Sequence, residues 1–564
     1  MTASLSWRSD GAAIQRHVFP SPPLPALDGT GPAWHPVVIV GAGPVGLSLA
    51  IDLAQRGQRV LLLDNDDRLS TGSRAICFAK RTLEIWDRLG VGDAMCAKGV
   101  GWNTGRVFFG SEQLYQFDLL PEPGHERPAF INLQQYYAEA FLAVRAAELP
   151  GLEIRWKHAV TGLSNEADHA TLQVEAPDGR YTLVADHVVA CDGSRSPLRA
   201  MLGQESRGRV FRDRFLIADV RMQADFPAER WFWFDPPFHP NQSVLLHRQP
   251  DDVWRIDFQL GWDADPEEEK KAERIRPRVD AMMRQALGRP VPFELEWASV
   301  YTFACLRMER FRHGRVLFAG DSAHGVSPFG ARGANSGVQD ADNLGWKLDA
   351  VLRGAAPDAL LDTYADEREF AADENLRNST RSTDFITPKS EVSRLFRDAA
   401  LQLSRHHAFA RTLVNSGRLS TPSTLDDSAL NTPDADRFQG HLHPGAPAAD
   451  APVRLPDGRM GWLLRQLGPG FTLLMATSPG ADELPPGLEA DDLPVALKVL
   501  TLVQPGTRAG DGSLEDVEGR VATRYDLTPG SAVLLRPDQH VCARWRRPDA
   551  QAIRAALRRA LGHA

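Results

Sequence analysis

Cysteine is scarce in this chain. Cys77, Cys96, Cys191, Cys305 and Cys542 are odd in number and widely separated, and no Cys-x-x-Cys pair occurs. That excludes a secreted disulfide framework, a dithiol couple and a cysteine-built zinc site; no metal site is expected, and the context reads as reducing and cytoplasmic. Long apolar runs are also missing. The longest, Val37 to Ile51, stops at Asp52, short of the roughly 20 residues of a membrane span, so no membrane anchor is expected. An excess of positive charge is absent as well. The formal net charge is −9 and the sequence pI about 6.0, which argues against nucleic acid as a partner, because phosphate neutralisation needs a basic surface. One basic concentration, Arg544, Arg546, Arg547, Arg554, Arg558 and Arg559, reads as the solvated face of a terminal helix.

With 564 residues the chain exceeds what one core organises, so two to four domains are expected. Residues 1–34 contain Arg8, Arg16 and several prolines without an apolar stretch, and read as a loose leader rather than a signal peptide. From Val37 the pattern becomes strand (Val37–Val40), tight turn, helix (Pro44–Arg56) and strand (Val60–Leu63). Two later apolar strands, around Val188–Cys191 and Arg315–Ala319, end in Asp192-Gly193 and Gly320-Asp321. Strand ends of this kind belong together at the carboxyl edge of one discontinuous parallel sheet facing a ligand.

From about 206 to 300 apolar and polar residues alternate, as in half-buried antiparallel strands. The run Trp231-Phe-Trp-Phe-Asp-Pro-Pro-Phe238 suits either a sheet face packed on the core or an aromatic cavity wall. A helical stretch covers about 340–405, a polar connector 416–440, and a mixture of short strands and a terminal helix 441–564.

Gly41-Ala-Gly43-Pro44-Val45-Gly46 follows a strand and opens a helix. The first glycine permits the turn, the second lets backbone approach a pyrophosphate, and the third lets helix and strand pack closely. The helix N-terminus offers free N–H groups to phosphate. Asp64, at the end of the next strand, supplies an acceptor for ribose hydroxyls. An adenine dinucleotide is therefore expected, though this motif does not separate NAD from FAD. No second such unit exists, since Gly99-Val-Gly101-Trp-Asn-Thr-Gly105 has the wrong spacing; with no Cys-x-x-Cys, a two-site disulfide reductase is excluded.

Two further motifs complete the set. Asp192-Gly193-Ser-Arg195 closes one strand; Gly320-Asp321-Ser-Ala-His324 closes another and runs into Ser327-Pro328-Phe-Gly330-Ala-Arg-Gly333-Ala334-Asn335. With these three motifs in this order, the chain resembles the FAD-dependent aromatic hydroxylases, the class A flavoprotein monooxygenases. The resemblance implies an α/β (α+β) fold: a discontinuous Rossmann-like FAD domain (35–205 and 301–415, the latter with a helical segment), a β-sheet substrate domain (206–300), a linker (416–440) and a C-terminal domain (441–564). The C-terminal part resembles the thioredoxin-like extension of phenol and 3-(3-hydroxyphenyl)propionate hydroxylases through His443-Pro-Gly-Ala-Pro and the Arg536-Pro537-Asp538 turn.

By that resemblance Asp321 accepts from the ribityl hydroxyls of FAD. Pro328, Gly330, Gly333, Ala334 and Asn335 line the flavin ring with the N-terminus of a helix. Asp192 and Gly193 anchor the dinucleotide and the passing nicotinamide. Arg74 lies near the pyrophosphate or is a solvated surface arginine, Gln135 contacts the cofactor at a helix start, and Val160 meets the adenine. His324 reads as support for the flavin loop rather than as a proton-transfer group, and no phenol-deprotonating base is legible. The implied reaction is hydroxylation of a small aromatic substrate, a phenolic acid or substituted phenol, by NADH or NADPH and O2 through a flavin C4a-hydroperoxide. Hydroxylation of a polyketide or antibiotic ring, a flavin dehydrogenase without oxygen insertion, and a flavoprotein that only binds a ligand stay open, as does a homodimer.

Overall fold

The computed structural model describes the chain except residues 1–9, 25–31, 73, 415–418, 420, 478–484, 486–487, 489–492, 508 and 564. Its first sheet runs in the order 312–313, 316–318, 179–190, 33–40, 60–64, 152–156. All neighbours from 316–318 onward are parallel, with Val40 opposite both Ala190 and Leu63, and Ala190 opposite Phe318. Val37–Ile39, Leu61–Leu63, Val188–Ala190 and Val316–Phe318 are fully buried. Strands covered on both faces need such unbroken apolar runs. Three segments more than 100 residues apart thus end side by side. The helices Pro44–Gln55, Gln135–Ala147 and Gly333–Leu352 pack nearby, the first touching both others.

The second sheet is larger than the alternating segment 206–300. Its order is 324–325, 293–308, 206–222, 253–260, 243–248, 230–234, 104–109, 112–118. The hairpin Thr104–Asp118, which the sequence assigns to the cofactor domain, extends this sheet through parallel pairing of Gly105–Phe109 with Arg230–Phe234. Pairing between segments 120 residues apart leaves no local signature. The helix Ala272–Leu287 covers the outer face, with Ile275, Val279, Met282 and Met283 against Leu216, Ala218, Val244, Ile256 and Phe258.

The C-terminal sheet has the order 460–462, 452–454, 513–515, 497–503, 471–476, 532–535, 541–545. The strands 471–476 and 497–503 are parallel; 532–535 and 541–545 are antiparallel. Trp346 and Leu360 of the cofactor domain share an apolar cluster with Leu473, Leu534, Ile553 and Leu557. Beside it lies a buried ion network. Glu367 accepts from Arg536 (2.6 Å) and Lys347 (2.7 Å), and Arg536 also pairs with Asp538.

Three local expectations change. The leader contains the helix Gly11–Arg16, capped by Asp10, with Ile14 buried and Phe19 stacked on Trp156. The described part of the 416–440 connector is irregular but packed, with Leu425 and Leu430 buried. Arg544 and Arg546 lie on or beside the strand Val541–Trp545, not on the terminal helix; they pair with Asp434 and Asp526 and flank the Phe438 ring. Period alone could not separate these arginines from the helix that follows. Among the described residues, no helix is long and apolar enough to cross a membrane.

Candidate active site

The carboxyl edge of the parallel sheet carries all three glycine and aspartate motifs. Gly41 has φ +109°, and a Cβ there would stand 2.3 Å from the Cys191 carbonyl oxygen. A Cβ on Gly46 would stand 1.9 Å from the Gly41 carbonyl oxygen, whereas Gly43 has nothing within 4 Å. The first and third positions are closed by the fold and the second is open to a ligand. Pro44 starts the helix and no side chain caps it, so its first N–H groups are available to an anion. Val45 packs onto Gly320 and Gly337, where Cβ atoms would meet its methyl carbons at 2.9 and 2.6 Å. That contact joins the first motif to the third.

Asp64 clamps the glycine turn: Oδ2 accepts from Ala42 N–H (2.6 Å) and Oδ1 from Asp66 N–H (2.8 Å). Burial raises its carboxyl above the usual range, and its remaining lone pairs are free for hydroxyl donors. Val160 lies on the strand Ala159–Asn165, tied to this corner by His158 N–H donating to the Asp64 carbonyl. Asp192 accepts from Leu198 N–H through Oδ2 (3.1 Å), while Oδ1 is buried without a partner; burial raises this carboxyl too. Gly193 (φ +80°) has open space at its Cα.

Asp321 follows Gly320 (φ +66°) and is reachable by solvent in the cleft. The surrounding protein raises its carboxyl, and the charges of His324 and Arg74 offset part of that rise. The loop then makes a tight turn at Pro328–Gly330, passes Ala331 in the left-handed region (φ +50°) and enters the helix Gly333–Leu352. No side chain caps this helix, and a Cβ on Gly333 would lie 3.9 Å from Asp321 Oδ1. Backbone N–H groups of Gly333 and Ala334 and the positive end of a 20-residue helix therefore converge beside Asp321.

The side chain of Asn335 is committed elsewhere. Its Oδ1 accepts from Ala79 N–H (2.8 Å) and Thr82 Oγ1 (2.6 Å), and its Nδ2 donates to the carbonyls of Cys77 and Ala331. It staples the helix start to the 77–82 segment and leaves only its backbone for a cofactor. Gln135 is similarly engaged: Oε1 accepts from Ala75 N–H (3.1 Å), and Nε2 donates to Ser70 Oγ and Glu139 Oε1. Buried Glu139 also receives Ser70 N–H (2.7 Å). Arg74 is exposed and hydrogen-bonds Tyr301, so its charge stands at the mouth of the cleft near Asp321.

Beneath the loop, His324 Nε2 lies 2.7 Å from Asp340 Oδ2, Asp340 Oδ1 accepts from Arg368 Nε (2.6 Å), and Gly320 N–H donates to Oδ2 (2.9 Å). Against the penalty of burial, His324 and Arg368 hold Asp340 down to about 2. His324 is buried and its imidazole stacks on Phe311; it braces the loop from below.

The aromatic run divides by alternation. Trp231 and Trp233 pack outward beneath Ala272–Leu287 with Phe226 and Trp254. Phe232 and Phe234 face the cofactor side with Phe215 and Phe303, and Phe329 of the loop meets Phe215 (4.7 Å) and Phe303 (5.2 Å) edge-on. The two sets of alternate residues thus pack into two different apolar clusters, one on each face of the sheet.

A family model described as "FAD binding domain" matches residues 35–379. The chain is 31% identical to 6-methylpretetramide 4-monooxygenase of Streptomyces rimosus over 92% of both chains. This chain belongs to the class A FAD-dependent monooxygenases. A second relative, a 3-(3-hydroxy-phenyl)propionate/3-hydroxycinnamic acid hydroxylase of Mycolicibacterium smegmatis, is 30% identical over 65% of this chain and 64% of its own. Among solved structures, OxyS anhydrotetracycline hydroxylase from Streptomyces rimosus matches with TM-score 0.66 and 28% identity over 94% of this chain and 99% of that one.

The residues of the monooxygenase fit FAD. An orphaned buried oxygen on Asp192, an open approach at Gly43 and two uncapped helix starts face one cleft. Sequence reasoning missed the braces: Glu139, Arg368 and the loop-supporting role of Asp340. Ser70 lies 69 residues from Glu139, Asp340 lies 28 from Arg368, and His324 lies 16 from Asp340, beyond any local motif.

Proposed function

We propose that this monooxygenase hydroxylates a ring of a fused, polyketide-type polycyclic phenol, with NADH or NADPH as reductant and O2 as oxygen source. One oxygen atom enters the ring as hydroxyl and the other leaves as water, with two electrons from the nicotinamide. Bound FAD supplies the chemistry of accepting a hydride and activating O2. The chain supplies the rest. Gly41, Gly43 and the N-terminus at Pro44–Gly46 hold the pyrophosphate, Asp64 a ribose, Asp321 the ribityl chain, and Asp192 the dinucleotide. Arg74 and Gln135 lie along the same cleft, the latter by ordering residues 70–75. The N-terminus of Gly333–Leu352 faces negative charge that develops on reduction. The aromatic wall excludes water and holds a flat ring against Phe329.

The carrying observation is the match over 92% of both chains to a 6-methylpretetramide monooxygenase, supported by a wall of five phenylalanines from three elements of the second sheet and the loop. A single-ring phenolic acid is the second reading, favoured by the hydroxyphenylpropionate relative. The C-terminal sheet, with its central parallel pair and following antiparallel pair, suits a thioredoxin-like scaffold without a dithiol. The test is product analysis under ¹⁸O₂ with anthracyclinone, tetracycline-precursor and phenolic-acid panels. One labelled oxygen in a polycyclic product supports the proposal. Oxidation without label moves the assignment to a dehydrogenase, and label only in single-ring products moves it to the second reading.

A further inference from the structure

Exposed apolar side chains gather in one place on this protein. Among the described residues eleven large ones are exposed, and five of them, Val392, Leu395, Phe396, Leu403 and Phe409, lie between positions 392 and 409. Four belong to the helix Glu391–Ser404, whose start is fixed by a reciprocal cap between Ser390 and Ser393. Its inner face is already satisfied: Ala400, Leu401 and Ser404 are buried, and Leu401 shares a cluster with Val107, Tyr115 and Ile386. The outer residues recur at i, i+3, i+4 and i+11, with exposed Ala399 at i+7, an arc of about 100°. Packing against the protein takes one stripe; this helix carries a second, turned to solvent.

Charge singles out the same surface. The chain carries a net −9, yet residues 387–414 hold Lys389, Arg394, Arg397, Arg405 and Arg411 against only Glu391 and Asp398. Arg394 and Arg405 lie to one side of the stripe on the same helix. On its other side Phe396 lines an apolar groove of about 780 Å³ together with Leu376, Arg377, Arg381 and Phe385 of the helix Leu360–Ile386. Arg381 is exposed and makes no ion pair among the described residues; Arg394 is exposed and donates to the Asn241 side-chain oxygen (3.1 Å). Two copies meeting here would set like charges against each other, which is unfavourable. Val392 and Leu395 stand 77% and 72% exposed; a folded partner needs a matching pocket for each, whereas lipid closes around any shape.

We propose that the helix Glu391–Ser404 docks the enzyme reversibly on an anionic lipid surface. The helix lies in the plane of the interface, with its apolar stripe at the boundary between headgroups and acyl chains. Arg377, Arg381, Arg394 and Arg405 meet the lipid phosphates from both sides of the stripe. No membrane span is involved. A short stripe and a few arginines give an attachment that salt reverses. Phe396 belongs to both stripe and groove, and Phe385 at the groove's inner side joins the phenylalanine cluster of the second sheet. A ring dissolved in lipid would therefore meet the groove first. That use rests on the ring-hydroxylase reading; the docking itself does not.

The experiment is co-sedimentation of the full-length, FAD-loaded enzyme with phosphatidylcholine vesicles and with vesicles containing about one third phosphatidylglycerol. The anionic vesicles are expected to bind at least ten-fold more tightly. Raising the salt to about 1 M, where screening acts within about 3 Å, is expected to release the protein. The double variant Val392→Asp, Leu395→Asp lowers binding at least ten-fold, and Arg381→Ala and Arg394→Ala each lower it about five-fold. Native flavin absorbance and melting temperature in these variants separate lost docking from lost fold. A solvatochromic dye on Leu395→Cys shifts to the blue with anionic vesicles, as burial at the boundary requires. Equal binding to both vesicles, or binding that survives the two aspartates, overturns the proposal. Absent binding overturns it too: a concentration-dependent mass that the aspartates abolish then gives the stripe to a second copy, and a constant monomer mass leaves it to neither. Incorporation of ¹⁸O is measured without vesicles, so the docking and the ring-hydroxylase reading fail separately.

Discussion

The cofactor cleft and the aromatic face of the second sheet are built from opposite materials. The cleft consists of backbone, glycine and short acids at the ends of parallel strands: Gly41, Gly43, Asp64, Asp192, Gly320 and Asp321. The aromatic face consists of large side chains on antiparallel strands: Phe215, Phe232, Phe234, Phe303 and the charged row from Asp219 to Arg230. A diphosphate is bound by N–H groups and helix ends, which any sequence supplies once side chains are out of the way. A flat ring is bound by area and by a few placed charges, which only particular side chains supply. The cleft is therefore expected to tolerate little added bulk, and the aromatic face to tolerate exchange at the cost of changed specificity.

The largest expected effect breaks the cleft side of that comparison. Gly46→Val places branched carbon where a Cβ alone would lie 1.9 Å from the Gly41 carbonyl oxygen. The protein is expected to purify colourless, and the flavin absorbance per mole of protein measures this. Next is the interface between the cofactor and C-terminal domains. Arg536→Met leaves Glu367 and Asp538 without their shared cation, expected to cost about 3–5 kcal/mol in chemical denaturation. Little change would mean that the domain is held by the apolar cluster around Trp346 alone.

Two substitutions one residue apart sharpen the comparison at the wall. Trp233→Ala empties the outer core beneath Ala272–Leu287 and is expected to lose about 3–5 kcal/mol of stability with ring affinity within two-fold of native. Phe234→Ala is expected to lose less stability and to weaken ring binding about ten-fold, roughly 1.4 kcal/mol. Thermal melts and ligand titrations on both variants decide it, and matching profiles would contradict the division of the run between two faces. Asp321→Asn keeps the shape and removes the charge facing the cleft; FAD affinity is expected to fall ten- to a hundred-fold, about 1.4–2.7 kcal/mol, in reconstitution titrations.

A last effect, confined to acid pH, is shared by both sheets. Each buries a neutral histidine, His187 in the parallel sheet and His247 in the wall, and burial with nearby arginines lowers both to about 4. The unfolded chain, with an ordinary histidine value near 6.5, binds more protons than the folded chain between those limits. Stability is therefore present above about pH 6.5 and is lost as pH falls toward 4, by about 2 kcal/mol per histidine at pH 5. Melting temperature against pH, compared between native protein and His187→Gln, tests the sign: the variant should show a shallower loss on acidification.

The three motifs, the parallel strands that carry them and the flavin helix were legible because each is a contiguous run whose chemistry depends on backbone shape. Alternation likewise revealed the second sheet from 206 onward. The hairpin Thr104–Asp118 was not legible as part of that sheet, because its partner strand lies 120 residues on and alternation names a face without naming a neighbour. The leader helix Gly11–Arg16 escaped because six residues carry too little periodicity.

By itself, the sequence determined the order of strand, glycine turn and helix and the acidic ends of three strands, since these follow from steric demands acting over a few residues. It left the aromatic run with two readings. Only the tertiary structure decided that Trp233 joins the cluster beneath the Ala272–Leu287 helix and Phe234 the opposite cluster that contains Phe329. It alone engaged the side chains of Asn335 and Gln135 in hydrogen bonds to neighbouring segments, and it alone paired Arg255 with Asp219 while leaving Nε and Nη1 of Arg230 buried without a hydrogen-bond partner. Those outcomes depend on which distant groups arrive within hydrogen-bond reach, a matter of packing between elements that no local pattern records.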